Sequence, residues 1–324
     1  MKIMFSMRAV LLAVIVFGAS AAGAAAQQLD TVKLAIGYIP NIQFTPLYVG
    51  IDKGFYREAG IDLKIEYGFG VDIFSLLSSG KIDIGLSDSD QLILAGSKNM
   101  GLVSVYQYYQ SYPVAIVAKK GVVDTPAQFA GTTIGTPEVY GSSYIGLELF
   151  LQHYNLVGKV KVQKIGYTQI PALMSGRVAG AVVFTTNEPV HLRELGVSFN
   201  EWDVKDFSDM VGSSFISSGQ IVKDKGPLLS RFFAATSKAM SYIQQNPAEA
   251  VAIAMKYIDG ADASQRPFLS ASLAATMSLL TSPHGFGYID PSLYTDSIKT
   301  LAAIGLIPSV YDASTILMPL GPSN

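Results

Sequence analysis

Four short stretches of the sequence combine aromatic side chains with hydrogen-bonding side chains, which is the composition of a cleft that binds a small molecule. Each stretch follows an apolar run that predicts a β-strand. In a parallel α/β sheet, such loops lie beside the free N–H groups at the start of the next helix. The predicted loops are Tyr38 to Phe44, Ser87 to Asp90, Pro137 to Tyr144 and Phe184 to Glu188.

The third loop suits an anion or a carbonyl oxygen. Gly141 allows the backbone to approach a ligand closely, and the hydroxyl of Ser142 or Ser143 can cap the helix or bind the ligand. Tyr140 and Tyr144 flank these residues as candidate ligand contacts. An ordinary serine cap with exposed tyrosines is the alternative interpretation.

Two of the loops supply the carboxylates that we consider as ligand contacts. Glu188, which follows Asn187, would accept two hydrogen bonds from an amino or imino edge of a ligand. Asp88 and Asp90 offer similar acceptors in the second loop. A carboxylate at the start of a helix also complements the helix dipole, or caps the first turn, without binding anything, so both interpretations stay open.

Four tyrosines lie within the seven residues from 106 to 112. Strand alternation places Tyr106, Tyr108 and Tyr112 on one face and Tyr109 on the other. We expect one face to form a wall for stacking, with Tyr106 among the candidates, and the other face to pack in the core or against the sheet.

Signatures of catalysis are mostly absent from the sequence. None of the 3 His shows i, i+4 pairing with a second metal ligand. The sequence also contains neither a G-x-S-x-G nucleophile elbow nor a phosphate-binding Walker loop. We therefore predict a binding protein with no cofactor. A periplasmic enzyme that uses Glu188 or Asp88 as a base is the alternative.

Two similar α/β units position these loops. In each unit three predicted strands alternate with helices, which indicates a parallel sheet. Ser79 to Ile82 aligns with Ser175 to Val178, so the order of elements is repeated. After Pro227 come long helical patterns that we expect to pack back on the first unit. The predicted strands are 32–38, 61–67 and 82–86 in the first unit, and 132–135, 159–165 and 178–184 in the second.

The composition limits the classes of partner. The chain has 324 residues, Lys+Arg 23 against Asp+Glu 25, and 49% hydrophobic residues. This composition excludes a disordered protein, and the length predicts about two domains. Near-neutral charge argues against a nucleic-acid partner. The Cys count of zero excludes disulfides and thiolate metal sites. We expect a monomer whose partner is a small solute.

The first 26 residues have the pattern of a cleaved signal peptide. Lys2 and Arg8 precede an apolar run, and small residues at 24–26 form a cleavage site near Ala26. A membrane anchor is the alternative, although the second half of the run is only weakly apolar. No later segment is long and apolar enough to span a bilayer. We expect a periplasmic protein.

Several motifs in the sequence resemble periplasmic solute-binding proteins of ABC importers, in the SsuA/THI5-like (NMT1) family, over about residues 30 to 225. The motifs are Gly37-Tyr38-Ile39-Pro40-Asn41, Pro46-Leu47-Tyr48-Val49, Lys53-Gly54-Phe55-Tyr56-Arg57-Glu58-Ala59-Gly60-Ile61-Asp62, Leu77-Ser78-Ser79-Gly80-Lys81-Ile82-Asp83-Ile84-Gly85 and Asn187-Glu188-Pro189-Val190.

The resemblance implies a two-lobed α/β fold, the type II periplasmic-binding-protein fold. Each lobe would be a mainly parallel sheet flanked by helices, and the lobes would close on a ligand in the cleft between them. We expect lobe 1 at residues 27–118 plus 219–324 and lobe 2 at 119–218, with hinges near 112–120 and 213–222. The implied partner protein is an ABC permease in the inner membrane.

A finer resemblance is to the branch of this family that delivers riboflavin or thiamine pyrimidines. Members have an aromatic residue and an Asn like Tyr38 and Asn41, and a Glu like Glu188 that meets an amino-pyrimidine edge. The run from Gly141 to Tyr144 is similar to that of riboflavin-type members. The implied ligand is a flat heteroaromatic molecule, riboflavin-like first and thiamine pyrimidine second.

The resemblance also implies roles for the loop residues. Tyr38, Phe44 or a cleft tyrosine would stack on the ligand, and each ring would supply roughly 1 to 3 kcal/mol by analogy with base stacking. Polar groups would then determine which flat heterocycle binds. The alternative is a sulfonate or other small anion, but the four loops contain no Lys or Arg. The implied polar contacts are Asn41, Asp88, Ser142, Asn187 and Glu188.

Overall fold

The computed structural model describes residues 28–68 and 72–321, so the predicted signal peptide lies outside the described residues. Within that part of the chain, two five-stranded sheets are flanked by helices. The prediction of two α/β units is confirmed. In each sheet four strands run in one direction and one strand runs against them.

The first sheet has the strand order β2-β1-β3-β10-β4. β4, which the sequence did not predict as a separate strand, is buried throughout. β10 is the strand of opposite direction, and it pairs with β3 on one side and β4 on the other. The strands are β1 (Asp30–Ile36), β2 (Ile61–Tyr67), β3 (Ile84–Asp88), β4 (Leu102–Gln107) and β10 (Ser213–Ser218).

The second sheet repeats this arrangement with the order β7-β6-β8-β5-β9. Here β5 runs against its neighbours β8 and β9. β9 was not predicted. The strands are β5 (Val114–Lys119), β6 (Thr133–Thr136), β7 (Lys161–Lys164), β8 (Gly180–Phe184) and β9 (Phe199–Asp203).

The two sheets exchange one strand each. β5 follows β4 in the chain but belongs to the second sheet, and β10 follows β9 but belongs to the first. The predicted lobe boundaries therefore differ from the sheets at residues 114–118 and 213–218. Strand pairing is the reason, because each of these segments hydrogen-bonds to strands of the opposite unit. The chain crosses between the sheets at 108–113 and 204–212. Hinges near 112–120 and 213–222 stay a prediction.

A glycine ends the equivalent helix in each unit. α3 (Ile73–Ser78) and α6 (Gln169–Met174) are followed by Gly80 and Gly176, whose φ angles are +67° and +73°. Only glycine adopts this conformation without strain, so its position marks where the helix must stop. The backbone bonds also match: Lys81 N donates to Leu76 O and Arg177 N to Ala172 O, each at 3.0 Å.

Helices from both ends of the chain cover the first sheet. The helical spacing of the sequence over 47–59 predicts one helix, which the structure divides at Gly54, whose φ is +75°. The C-terminal helices pack against α1, α2 and the first sheet, as expected. We call this sheet with its helices the first lobe. Its remaining helices are α1 (Thr45–Asp52), α2 (Phe55–Glu58), α4 (Ser89–Gly96), α8 (Gly219–Gln245), α9 (Pro247–Ala254), α10 (Arg266–Leu280) and α11 (Pro291–Ala303).

The second lobe consists of the second sheet with α5 (Gly141–His153), α6 and α7 (Glu188–Glu194). Helices of the second lobe also pack against helices of the first. α4 packs against α5, and α10 reaches α7, where the rings of His191 and Phe268 lie 5.1 Å apart. Within residues 28–68 and 72–321, no helix combines the length and the apolar character needed to cross a membrane.

Candidate functional site

A cleft of about 350 Å³ lies between the two lobes, at the carboxyl ends of the parallel strands β1, β3, β6 and β8. All four loops that the sequence singled out contribute to its lining. Nine predicted site residues line the cleft: Tyr38, Phe44, Asp88, Tyr140, Gly141, Ser142, Ser143, Asn187 and Glu188. Ligand binding by these residues stays a prediction.

Asn41 and Asp90 lie behind the cleft rather than in its lining. The Asn41 side chain caps a 3-10 turn, where its Oδ1 accepts a hydrogen bond from Gln43 N at 3.1 Å. It therefore shapes the loop that carries Gln43 and Phe44. Asp90 is fully buried and accepts a hydrogen bond from the Ser142 hydroxyl at 2.6 Å, so it supports a lining residue instead of facing a ligand.

Tyr106 and Tyr144 are also absent from the lining. Tyr106 is buried in the first lobe, stacked on Phe233 with ring centroids 4.7 Å apart. It belongs to β4, which is covered on both sides, so its ring packs in the core. The Tyr144 hydroxyl bonds to Glu148 one turn further along α5. The corrected stacking candidates are Tyr38, Phe44 and tyrosines beyond residue 106.

The N-terminus of α5 differs from the predicted serine cap. Gly141 begins the helix with a φ of +73°, and no side chain caps the first turn. The Ser142 hydroxyl donates to Asp90 instead. Ser143 lines the cleft.

Glu188 contributes a carboxyl group to the lining of the cleft. Its Oε2 accepts from Phe184 N at 3.0 Å and its Oε1 from Asn187 Nδ2 at 3.1 Å. Burial raises the pKa of Glu188, and these hydrogen bonds offset part of that rise. A carboxylate has about four lone-pair sites, so acceptor capacity remains for a ligand.

Acidic groups dominate the charge of the cleft. Asp88 comes from the first lobe, and Glu138 and Glu188 come from the second. Asp88 accepts from the Ser213 hydroxyl at 2.6 Å, and Glu138 pairs with Lys164, which is outside the lining. No Lys, Arg or His is among the described residues that line the cleft. The site is thus rich in acceptors and lacks a counter-ion for an anionic ligand.

Aromatic rings from both lobes meet at the cleft. Tyr38 of the first lobe and Tyr167 of the second pack edge to face, with ring centroids 5.7 Å apart. Burial, and next the charge of Glu188, raise the pKa of Tyr38 to about 12. The Tyr38 hydroxyl is therefore protonated at neutral pH. Phe44 packs at 6.3 Å from Tyr67. Tyr140 is 67% exposed and remains accessible to solvent.

Two tyrosines of the first crossing join the lobes beneath the cleft. The Tyr109 hydroxyl donates to Gln43 Oε1 of the first lobe at 2.9 Å and is also hydrogen-bonded to Thr186 of the second lobe. The Tyr112 hydroxyl likewise lies within hydrogen-bonding distance of Asp90 Oδ2 in the first lobe and of the backbone oxygen of Ser142 in the second. Each hydroxyl thus contacts both lobes.

Several polar or aromatic lining residues were not predicted as site residues, among them Gln43, Gln91, Tyr108, Tyr109, Tyr167 and Gln169. Gln43 lies inside a predicted loop, and Tyr108 and Tyr109 lie in the tyrosine-rich segment, so a signal existed for these three. Gln91 follows the second loop directly. The sequence carried no comparable signal for Tyr167 and Gln169, which follow β7.

In the part of the chain that the structure describes, no three His, Cys, Asp or Glu side chains cluster in a way that could hold a metal ion. The cleft chemistry is that of hydrogen bonding and ring contact.

Comparison with known proteins places this architecture in a family. The family model described as "NMT1/THI5 like" matches residues 41–250. The chain belongs to the NMT1/THI5-like family. It is 30% identical to the riboflavin-binding protein RibY of Chloroflexus aurantiacus, over 88% of this chain and 84% of the relative. It is 28% identical to the formylaminopyrimidine-binding protein of Halalkalibacterium halodurans, over 86% of each.

A solved structure of the same architecture is the periplasmic aliphatic sulphonate binding protein SsuA from Escherichia coli. It has a TM-score of 0.70 and 15% identity, over 89% of this chain and 97% of that chain. At this identity the likeness concerns the fold alone. The NMT1/THI5-like chain has the two-lobed periplasmic-binding-protein fold, and it is a solute-binding protein of this family.

Proposed function

We propose that the chain is the periplasmic substrate-binding component of an ABC importer. It captures a flat heteroaromatic vitamin or vitamin precursor and delivers it to the permease. Riboflavin is the first candidate ligand, and a thiamine pyrimidine is the second. The observation that carries this proposal is the lining of the cleft, which combines aromatic rings and acceptors from both lobes without any cation among the described lining residues.

The aromatic rings of the cleft favour a flat ligand. Tyr38, Phe44 and Tyr167 surround the cleft with π-faces and edges from two lobes. Base–aromatic stacking contributes about 1 to 3 kcal/mol per ring. The deep part of the cleft offers the Asp88 and Glu188 carboxyls, which accept hydrogen bonds from N–H groups of a heterocycle.

Two relatives support a heterocycle by their names. The riboflavin-binding and formylaminopyrimidine-binding proteins are similar to this chain over most of its length. A sulfonate is the weaker candidate despite the SsuA-like fold, since an anion would face three carboxyl groups here. We also propose that the protein is not an enzyme, because its residues are arranged to hold a ligand rather than to activate a nucleophile.

Spectroscopy of the protein purified from the periplasm without denaturation tests the proposal. We expect a co-purified flavin band, or a rise in melting temperature with riboflavin. By mass action a hundredfold excess of ligand over Kd stabilises by about 2.7 kcal/mol. A shift with the thiamine pyrimidine alone would select the second candidate, and a shift with an alkanesulfonate alone would overturn the proposal.

Glu188→Gln connects the binding to the cleft. We expect at least a tenfold loss of affinity, because the amide presents one acceptor oxygen where the carboxylate presents two. Glu194→Gln is the matched control, since this exposed residue lies on the same helix outside the cleft. Unchanged affinity in Glu188→Gln would remove this residue from the site.

A further inference from the structure

Gln169 places its side-chain amide in the wall of the cleft. It begins α6, is only 5% exposed and lines the cleft. Its side-chain amide makes no hydrogen bond to any described residue. Its oxygen and nitrogen are not among the fully enclosed unpaired atoms of the described residues, so they are open to the cleft. Polar side chains in folded proteins nearly always have a partner. An unpaired amide at the wall of a ligand cleft indicates a partner that arrives with the ligand.

Gln43 presents a second amide from the opposite lobe. Its Oε1 accepts from the Tyr109 hydroxyl at 2.9 Å, and its backbone oxygen accepts from the Tyr108 hydroxyl at 2.6 Å. These two bonds hold the residue and orient its amide. The Nε2 group, which carries two N–H donors, has no hydrogen-bond partner within the described residues.

The remaining amides of the lining are already engaged. Gln91 Nε2 donates to Asp90 at 3.1 Å, and Asn187 Nδ2 donates to Glu188 at 3.1 Å. Among the described lining residues, Gln43 and Gln169 are therefore the two amides whose N–H donors are uncommitted. One belongs to each lobe, so a ligand between the lobes can reach both.

We propose that Gln169 and Gln43 determine ligand specificity by binding the polar edge of a heterocycle from opposite lobes. Gln169 pairs with an adjacent N–H and C=O, donating one hydrogen bond and accepting the other. Gln43 donates to a second carbonyl oxygen. The ligand class is a neutral ring with a lactam or imide edge, and the inference rests on the proposed heterocycle-binding function.

The chemistry of the amide favours this class over an anion. A carboxamide and a cyclic amide are complementary in shape and form two parallel hydrogen bonds. A sulfonate could accept from both Nε2 groups, but it would leave the Gln169 oxygen without a donor. A buried acceptor left unpaired in the complex costs affinity. The two glutamines thus select a ring that carries a donor between acceptors.

Three substitutions test the inference. Gln169→Leu and Gln43→Leu remove the amide, and Gln169→Glu keeps the size and the acceptors but removes both donors. Gln152→Leu is the control, because Gln152 is exposed on α5 outside the cleft. The probes are riboflavin, a thiamine pyrimidine and, at millimolar concentration, uracil as a fragment that has only the imide edge. Calorimetry measures Kd for the first two, and NMR titration measures it for uracil.

We expect each cleft substitution to weaken riboflavin binding at least tenfold, and Gln152→Leu to leave it unchanged. The melting temperature of the unliganded protein should not fall in Gln169→Leu, since no described contact of the amide is lost. A purely structural role would lower the melting temperature and leave Kd unaffected. If Gln169→Glu binds riboflavin with wild-type affinity, the shape of the side chain and not its N–H donors would explain the effect of Gln169→Leu. That result would overturn the proposed hydrogen bonding between Gln169 and the ligand.

The outcomes separate this inference from the proposed function. If the wild type binds riboflavin and the glutamine variants bind it equally well, the specificity inference fails and the function stands. If the wild type binds neither riboflavin nor the thiamine pyrimidine, but binds uracil in a manner that Gln169→Leu abolishes, the proposed vitamin ligands fail and the specificity inference stands. Binding of none of the three probes would overturn both.

Discussion

The Tyr112 hydroxyl donates a 2.7 Å hydrogen bond to Asp90 Oδ2 beneath the cleft. The Ser142 hydroxyl, from the other lobe, donates to the same oxygen at 2.6 Å. The first crossing and both lobes therefore meet at one buried carboxyl group. Ser142 also lines the cleft, so the position of the ligand-facing loop depends on this junction.

Removing the tyrosine hydroxyls should weaken ligand binding. Tyr109→Phe and Tyr112→Phe keep the rings but lose a bond that joins the lobes, and we expect riboflavin affinity to fall several-fold in calorimetry. Tyr106→Phe is the control, since its hydroxyl bonds to Ser237 within the first lobe. All three should lose about 1 kcal/mol of unfolding free energy. An equal loss of affinity in the control would contradict the prediction.

Asp90 should make the stability depend on pH. Burial, and next the charge of Asp88, raise the pKa of Asp90 from 3.8 to about 6. Between these values the folded chain holds a proton that the unfolded chain has released, so the contribution of Asp90 to stability falls as pH rises from 4 to 6. We expect the unfolding free energy of wild type relative to Asp90→Asn to fall by about 1 to 3 kcal/mol over this range.

Urea denaturation at several pH values between 4 and 7 measures this difference. A gap between wild type and Asp90→Asn that stays constant across the range would show that Asp90 titrates normally. Asp62→Asn, on the exposed edge strand β2, is a suitable control.

A phosphate ester of the ligand should bind more weakly than the ligand itself. Riboflavin 5′-phosphate adds about two negative charges, and the described cleft lining supplies carboxyl groups from Asp88, Glu138 and Glu188 but no cation. We expect its Kd to exceed that of riboflavin at least tenfold, with the ratio falling as salt screens the repulsion. Equal affinity in low salt would mean that the phosphate lies outside the cleft.

Alanine substitution of the helix-ending glycine should destabilise the protein equally in the two lobes. At Gly80 and Gly176 an added Cβ meets no atom within 4 Å, so the cost of alanine comes from the positive φ alone. Each Gly→Ala change should lower the unfolding free energy by about 1 to 2 kcal/mol. Gly219→Ala, at the start of α8 with ordinary contacts, should be neutral or slightly stabilising in the same denaturation experiment.

The two-unit fold was predictable because its signals are local. Apolar runs mark β1, β3 and β8, and Gly80 and Gly176 mark where α3 and α6 end. The exchange of β5 and β10 was not predictable in the same way. Ser213–Ser218 has a polar composition, and it becomes a buried central strand only because β3 and β4 lie on either side of it.

The site was predictable where residues follow strands, and less so elsewhere. Tyr38, Asp88 and Glu188 line the cleft because the carboxyl ends of their strands open into it. Strand alternation grouped Tyr106 with Tyr108, but the chain leaves the sheet after residue 107, so Tyr108 and Tyr109 both reach the cleft. Gln169 depends on the direction of α6, which no local pattern specifies.

The strand exchange also determines which of the two sheets can be completed first during translation. The second lobe draws its sheet from one continuous stretch, residues 114–203, and can complete it as soon as that stretch leaves the ribosome. In the first lobe β3 and β4 are neighbours only through β10, so their edges wait unpaired while the whole second lobe is translated. A nascent chain can therefore carry a finished second sheet joined to an unfinished first sheet until residue 218 has emerged.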